Sequence, residues 1–313
     1  MLSRIADALF WLNRYMERAD GLLRVVGTHY ILTLDKDVHG NLTWKPVLET
    51  FTTANEQEIA SIENNTEASL KKLLIDTANH NSIKVIVSRA RENARGVQDH
   101  ITKEVWEEVN SVYHVVNQPS LEHRLSGYQA LEVIDLFVKH SVLYTGVTDI
   151  TMPRGIGWSF MNLGRYVERS FETLVLAKEK FEQIEYNLDE PHDIIQWRQL
   201  LLSLSGYELH LKTYRTNNYN KNVLHQVFFN EDFPHSVIYS LSRINRYLQD
   251  IVTDNHAADH SLLLRSFGRL YSKVKYTDWD SLNHQALETF LNEVHEGLVE
   301  FNTLLGQIFF SYS

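Results

Sequence analysis

Apolar residues recur every three or four positions along most of the chain, a spacing typical of one face of an α-helix. The first such stripe runs from Ile5 to Val26, and Gly27 is the expected end of that helix. Further helices are predicted over residues 56–78, 82–116, 126–146, 157–184, 192–214, 234–253, 258–274 and 283–310, with polar loops over 34–42, 186–192 and 215–222. No alternating strand pair with a hairpin turn is evident. The pattern therefore predicts an all-α, multi-helix bundle.

The chain also matches itself at three places that follow the same order. Residues 12–18 (LNRYMER) match 163–169 (LGRYVER), and residues 44–48 match 197–201. The third match pairs Ser82-Ile83 and Ser88-Arg89 with Ser236-Val237 and Ser242-Arg243, and the three offsets are 151, 153 and 154 residues. We expect a duplicated helical unit, with copies over residues 1–150 and 151–313 packed as one globular unit with pseudo-twofold symmetry.

Composition argues against several kinds of protein. The chain of 313 residues has 30 Lys and Arg against 40 Asp and Glu, so its formal net charge is −10. An acidic balance without a basic run argues against a nucleic-acid-binding protein. The absence of cysteine excludes disulfides, thiolate metal sites and cysteine nucleophiles. Without a signal peptide or an apolar run of about 18 residues, we expect no membrane association and a cytoplasmic location.

The repeated Arg-Tyr-x-Glu-Arg segment supplies the main candidate site residues. Arg14, Glu17 and Arg18 lie opposite the main apolar stripe of the first helix, on a side that is itself largely apolar. A carboxylate in such a wall must be paired, and arginine offers a planar fork for that purpose. The charges therefore either clamp the two halves together or bind an anion in a cleft. The same alternatives hold for the second copy, which contains Arg165, Glu168 and Arg169.

A second arginine-rich segment lies within the predicted helix over 82–116. Arg91 and Arg95 are one helical turn apart, so they could hold one anion together, with Glu92 adjacent. An ordinary surface pair between Arg89 and Glu92 is the competing interpretation.

Other motifs are weaker candidates. Arg154 to Trp158 contains two glycines, but it lacks the third glycine, the lysine and the preceding strand of a nucleotide loop, so we expect Trp158 to anchor the start of a helix. His256 and His260, near Asp254 and Asp259, have helical spacing but lack the glutamate of a zinc protease motif. We predict neither a metal nor a cofactor.

Together these segments resemble the bacterial alpha-E family of α-helical proteins, which is named for a Glu-Arg motif. The residues that carry the resemblance are MLSR at 1–4, FWL at 10–12, RYMERA at 14–19, ARENAR at 90–95, TMPR at 151–154, GWSF at 157–160, LGRYVER at 163–169 and FPHSV at 233–237. Two positions depart from the family pattern. Asn13 stands where glycine is usual, and Phe171 where the family often has an acidic residue after Ala.

The resemblance implies a functional context. Members of this family occur in gene neighbourhoods with circularly permuted ATP-grasp amide ligases, transglutaminase-like peptidases and proteasome-like hydrolases. We therefore predict an auxiliary or binding protein that works with an ATP-grasp ligase on a peptide or amide-linked product, with a transglutaminase-like peptidase as a second expected partner. Two alternatives remain open, a self-sufficient enzyme with an Arg/Glu site for a carboxylate or phosphate, and a purely structural scaffold.

Overall fold

The computed structural model describes residues 1–34, 42–127, 129–190, 193–215, 218–254 and 260–310. Over these ranges the chain forms fifteen α-helices and no β-strand, which confirms the all-α prediction. The helices are α1 (Ser3–Leu34), α2 (Lys45–Phe51), α3 (Glu56–Ile62), α4 (Thr66–Leu74), α5 (Ile83–Gly96), α6 (Lys103–Val116), α7 (Leu121–Arg124), α8 (Gln129–Thr151), α9 (Ile156–Gln183), α10 (Ile194–Ser203), α11 (Tyr207–Thr213), α12 (Tyr219–Leu224), α13 (Val237–Asp254), α14 (Ser261–Tyr276) and α15 (His284–Phe309). None of the described helices is long and apolar enough to cross a membrane.

Gly27 does not end the first helix, and that prediction was wrong. Helix α1 continues to Leu34, with Tyr30 and Leu32 buried in its last turns. A β-carbon at Gly27 would lie 3.2 Å from Cγ2 of Ile134. The glycine therefore serves close packing against α8 rather than helix termination.

Two long predicted helices are divided by side-chain caps that periodicity alone does not reveal. Residues 56–78 contain α3 and α4, because the side chain of Asn65 caps α4 by accepting from the Ala68 N–H. In the same way Thr102 caps α6 and separates it from α5, with a short 3₁₀ turn between them.

Among the loops, the predicted stretch 215–222 contains the start of α12. Parts of all three predicted loops, namely 35–41, 191–192 and 216–217, lie outside the described residues.

The chain divides into two compact units. The first unit comprises residues 11–153, and the second unit comprises 1–10 together with 154–313. In the first unit α5 packs on α6, and α6 packs on α8. Trp44 is buried in this unit, where its ring contacts His29 and its Nε1–H donates to Thr66 Oγ1 at 3.1 Å.

Helix α9 is the centre of the second unit. Sixteen of its 28 residues are buried, so most of its circumference is enclosed by other helices. It packs on α10, α13 and α15, while α14 packs on α15. Residues 1–10 complete this unit, and the Phe10 ring packs against Phe310 with centroids 5.0 Å apart.

Candidate functional site

The motif helix of the first unit carries its charges in buried positions. Arg14 and Glu17 each retain only 6% of their exposed surface, and both have interaction partners. The guanidinium of Arg14 lies 4.5 Å from the centre of the Trp11 ring. The burial expected for Glu17 from the helical wheel is therefore observed.

The tyrosine of this motif lies near two arginines from different helices. The Tyr15 ring has the guanidinium of Arg18 at 5.8 Å and that of Arg89 at 6.0 Å, and it packs beside Trp11 at 5.3 Å. Arg18 comes from α1 and Arg89 from α5, so the two helices meet around one tyrosine. We name Trp11, Arg14, Tyr15, Arg18 and Arg89 the first Arg–aromatic cluster.

Arg91, in the same unit, contacts side chains of α6. Its Nε–H donates to Asn110 Oδ1 at 2.7 Å, and its guanidinium lies 4.4 Å from the Tyr113 ring centre. The Glu92 carboxylate is 3.9 Å from Arg91 and largely exposed. Arg95 is exposed in the last turn of α5. No ion pair joins Arg89 to Glu92 in the described part of the chain.

The motif helix of the second unit repeats the buried charges. Arg165 is 7% exposed and Glu168 is 6% exposed. Arg169 donates from Nη1 to the carbonyl oxygen of Pro234 at 3.2 Å, and its guanidinium lies 5.3 Å from the centre of the Tyr166 ring. This places Arg169 between its own helix and the turn that precedes α13.

Tyrosines and arginines of α13 extend this arrangement. Tyr166 stacks on Tyr247 with centroids 6.1 Å apart, and it also contacts Tyr239 at 6.2 Å. The Arg243 guanidinium lies 4.8 Å from the Tyr239 ring and donates to its hydroxyl at 2.9 Å. We name Tyr166, Arg169, Tyr239, Arg243 and Tyr247 the second Arg–aromatic cluster.

The charge state of the second Arg–aromatic cluster follows from its environment. Burial raises the pKa of Tyr166 even though Arg169 and Arg165 act in the opposite direction. The hydrogen bond to Tyr239 raises the pKa of Arg243 further above its ordinary value. At neutral pH the Tyr166 phenol is therefore neutral and the Arg243 guanidinium is charged, and a charged guanidinium beside an aromatic ring is the combination in which cation–π attraction operates.

The Arg154–Trp158 segment leads into the first turn of α9 and packs there. The Arg154 guanidinium lies 3.8 Å from the centre of the Trp158 ring, which is only 8% exposed. A β-carbon at Gly157 would lie 3.2 Å from Leu9 Cδ1. These contacts agree with the expectation that Trp158 anchors the helix start.

The two positions that correspond in the internal match, Asn13 and Gly164, have different surroundings. A β-carbon at Gly164 would lie 2.2 Å from the carbonyl oxygen of Phe10. Asn13 is 1% exposed and accepts a hydrogen bond from the Tyr144 hydroxyl, while its Nδ2 has no partner among the described residues. The close backbone contact that requires glycine is thus found at 164.

His260 is packed in the second unit, where it is 5% exposed and stacks on Phe309. His256 and Asp259 lie outside the described residues. Within the described ranges, no three His, Asp or Glu side chains group closely enough to hold a metal ion.

The motif helices of both units belong to one family pattern. A family profile described as a predicted alpha-helical domain with a conserved Glu-Arg motif matches residues 1–310. The chain belongs to the Alpha-E family. This Alpha-E protein carries Glu-Arg pairs at Glu17-Arg18 and at Glu168-Arg169, one in each motif helix.

Two relatives of this Alpha-E protein are uncharacterised proteins, one of Mycobacterium bovis and one of Mycobacterium tuberculosis. Each is 22% identical to it over 275 residues, a match that covers 79% of this chain and 30% of the relative. The chain thus spans under a third of the length of these curated relatives. No solved structure matches it.

The repeated charges do not by themselves reveal the side chains that join the motif arginines in these clusters. Tyr15 and Tyr166 belong to the repeated motif, so repetition is a signal that could have found them. Arg89 and Arg243 also had a signal, because they are paired in the internal match of Ser88-Arg89 with Ser242-Arg243. Tyr239 and Tyr247 had no such signal.

Proposed function

We propose that this Alpha-E protein is an auxiliary binding protein that acts with a circularly permuted ATP-grasp ligase in making or processing a peptide or amide-linked product. The observation that carries the proposal is the Arg–aromatic cluster in each unit. In each, the tyrosine of the motif contacts the second arginine of the motif and one or more side chains of a second helix, which is α5 in the first unit and α13 in the second.

These clusters are suited to binding acidic groups. A guanidinium that lies against a tyrosine ring is held in a defined plane, and its N–H edges remain able to pair with a carboxylate. In the described residues only one of the five N–H donors of Arg243 is used, in the bond to Tyr239. The chain has a net charge of −10, whereas each cluster holds arginines close together. This local positive charge favours an anionic partner surface.

The burial of the two motif glutamates supports binding over catalysis. A general acid or base must reach the proton that it transfers. Glu17 and Glu168 are each only 6% exposed, which suits the positioning of neighbouring arginines better than contact with a substrate. A self-sufficient Arg/Glu enzyme and a purely structural scaffold are the alternatives that the experiment must separate.

The length of the relatives agrees with a partner role. The matched region is 30% of each mycobacterial relative, so in those proteins it is part of a much longer chain. We infer that this region works beside other protein domains. A transglutaminase-like peptidase is a second proposed partner, and a cytoplasmic location is proposed on composition.

The test is association with the ATP-grasp protein encoded nearest to this one in its genome. The two proteins are purified separately, and their affinity and the rate of ATP-dependent amide formation are measured together. We expect Arg243→Gln to weaken association at least tenfold. Arg269→Gln, which removes the same charge from an exposed position on α14, should leave association unchanged.

Each alternative predicts a different result. If wild-type protein neither binds the ligase nor changes its rate, the auxiliary role is wrong. Turnover of a carboxylate substrate by the protein alone, lost in Glu168→Gln, would favour the enzyme. Variants that lower only the melting temperature would favour the scaffold.

A further inference from the structure

The first unit contains an open cleft of about 570 Å³, and none of the residues of the two Arg–aromatic clusters lines it. Helix α4, the turn that follows it, the first turn of α5 and the segment 117–122 line the cleft. Three lysines, Lys71, Lys72 and Lys84, contribute to the wall, which is a local concentration of positive charge on an acidic chain.

Two of the three lysines are neutralised by the protein itself. The Lys71 Nζ lies 3.0 Å from Glu67 and 3.2 Å from Glu122, and Lys72 lies 2.9 Å from Asp76. Lys84 has no carboxylate within 4 Å in the part of the chain that the structure describes. Among the described residues of the cleft, Lys84 is therefore the lysine whose charge is not balanced by a neighbouring carboxylate.

The wall behind Lys72 is held in place by short-range hydrogen bonds. Asp76 accepts from the Ala78 N–H at 2.9 Å. Asn79, which is 2% exposed, accepts from the Asn81 N–H at 3.0 Å and donates to the Lys72 carbonyl at 3.1 Å. A wall that is already ordered loses little entropy when a ligand binds.

The remaining lining combines apolar and polar groups. Ile62, Ile75 and Leu121 supply apolar surface. The Thr77 hydroxyl and the Gln118 amide line the same cleft, and neither side chain hydrogen-bonds to another residue that the structure describes. Such a lining fits a ligand that has a small apolar part, an amide group and one negative charge.

We propose that this cleft binds the C-terminal end of a short peptide, with Lys84 pairing with the terminal carboxylate. A single negative charge matches the single unpaired lysine. Asp76 and Glu122 line the same wall, and their carboxylates would repel a phosphate of charge near −2 more strongly than a carboxylate of charge −1. The Gln118 amide and the Thr77 hydroxyl then hydrogen-bond to the last peptide group, and the apolar residues take its side chain.

The experiment compares N-acetyl-alanyl-alanine with its C-terminal amide, by titration calorimetry and by backbone-amide NMR shifts. The two probes differ only in the end group, which is an anionic carboxylate in one and a neutral carboxamide of similar size in the other. We expect the acid to bind at least tenfold more tightly than the amide, with the largest shifts at Thr77, Lys84 and Gln118. Lys84→Gln should abolish the preference and Lys84→Arg should retain it.

Lys103→Gln is the matched control, because Lys103 is 81% exposed on α6 and pairs with Glu107. It should leave the preference intact. The proposal is overturned if acid and amide bind equally, if neither binds, if the shifts fall outside the cleft, or if inorganic phosphate binds more tightly than the acid. The wild-type comparison and the shift map decide the matter even if Lys84→Gln is unstable.

Discussion

The carbonyl oxygen of Phe10 occupies the space that a side chain at Gly164 would need. A β-carbon there would lie 2.2 Å from that oxygen, a distance that β-carbons essentially never show. Because the obstacle is backbone, it cannot turn aside as a flexible side chain would. The crossing of α1 and α9 in the second unit therefore depends on glycine at this position.

Gly164→Ala should destabilise the protein by about 1–3 kcal/mol or more, because the two helices must separate to admit the methyl group. Urea unfolding followed by circular dichroism measures the loss. Gly268→Ala is the control, since apart from its chain neighbours and the nearby backbone of α14 no described atom lies within 4 Å of the new methyl group. That substitution should be neutral or stabilise by up to about 1 kcal/mol. Equal effects at the two sites would contradict the close-contact interpretation.

The stability of the second unit should fall in mild acid. Burial lowers the pKa of His210, although its hydrogen bond to Gln226 opposes the shift, and burial also lowers the pKa of His225. The folded state then holds both rings neutral, whereas unfolded histidine takes up a proton below about pH 6.5. The contribution of these two histidines to the free energy of unfolding is fully present above that pH. It is lost as the pH falls towards their folded-state pKa values.

Denaturant unfolding at pH 7.5 and pH 5.5 measures this dependence. His210→Gln should reduce the difference between the two pH values, whereas His80→Gln, at an exposed position, should not. If both variants keep the wild-type difference, His210 is not the responsible group.

Tyr239 and Arg243 should be energetically coupled. The guanidinium both donates to the phenol oxygen and lies 4.8 Å from the ring centre. A double-mutant cycle with Tyr239→Phe and Arg243→Gln should give a coupling energy of about 0.5–1.5 kcal/mol, most of it from the hydrogen bond. Tyr276→Phe, at a residue that is 77% exposed, replaces Tyr239→Phe in the control cycle and should show no coupling. Additive single effects for Tyr239 and Arg243 would refute the pairing.

The buried amide of Asn13 should make Tyr144→Phe costly. The variant leaves the Oδ1 of Asn13 without its phenol donor, in a residue whose Nδ2 already lacks a described partner. We expect a loss of about 1–3 kcal/mol. Adding Asn13→Leu should recover part of the lost stability, because the double variant no longer buries an amide that lacks hydrogen-bond partners. Thermal unfolding of the two singles and the double distinguishes this outcome from simple addition.

Hydrophobic periodicity predicted the helical class, because apolar residues recur at the helical spacing along most of the chain. It failed where a single residue determines where a helix ends or how closely it packs. Asn65 and Thr102 divide helices that the apolar pattern joins, and Gly27 marks close packing rather than an end.

The candidate site was predictable only in part, for a related reason. Repetition identified the arginines and glutamates of the motif. Part of the aromatic surroundings comes from another helix, because Tyr239 and Tyr247 join Tyr166 only after α13 packs on α9. Long-range contacts of this kind leave no periodic trace in one sequence.

The assignment of residues 1–10 to the second unit has a consequence for the order of folding during synthesis. These residues are made before residues 11–153, yet the rest of their unit begins at Arg154. Their contacts therefore have very large sequence separation, and closing such contacts is slow. Residues 11–153 can begin to collapse as they emerge from the ribosome, while the apolar side chains of the first turns of α1 stay exposed to water until the segment from Arg154 onwards has been made.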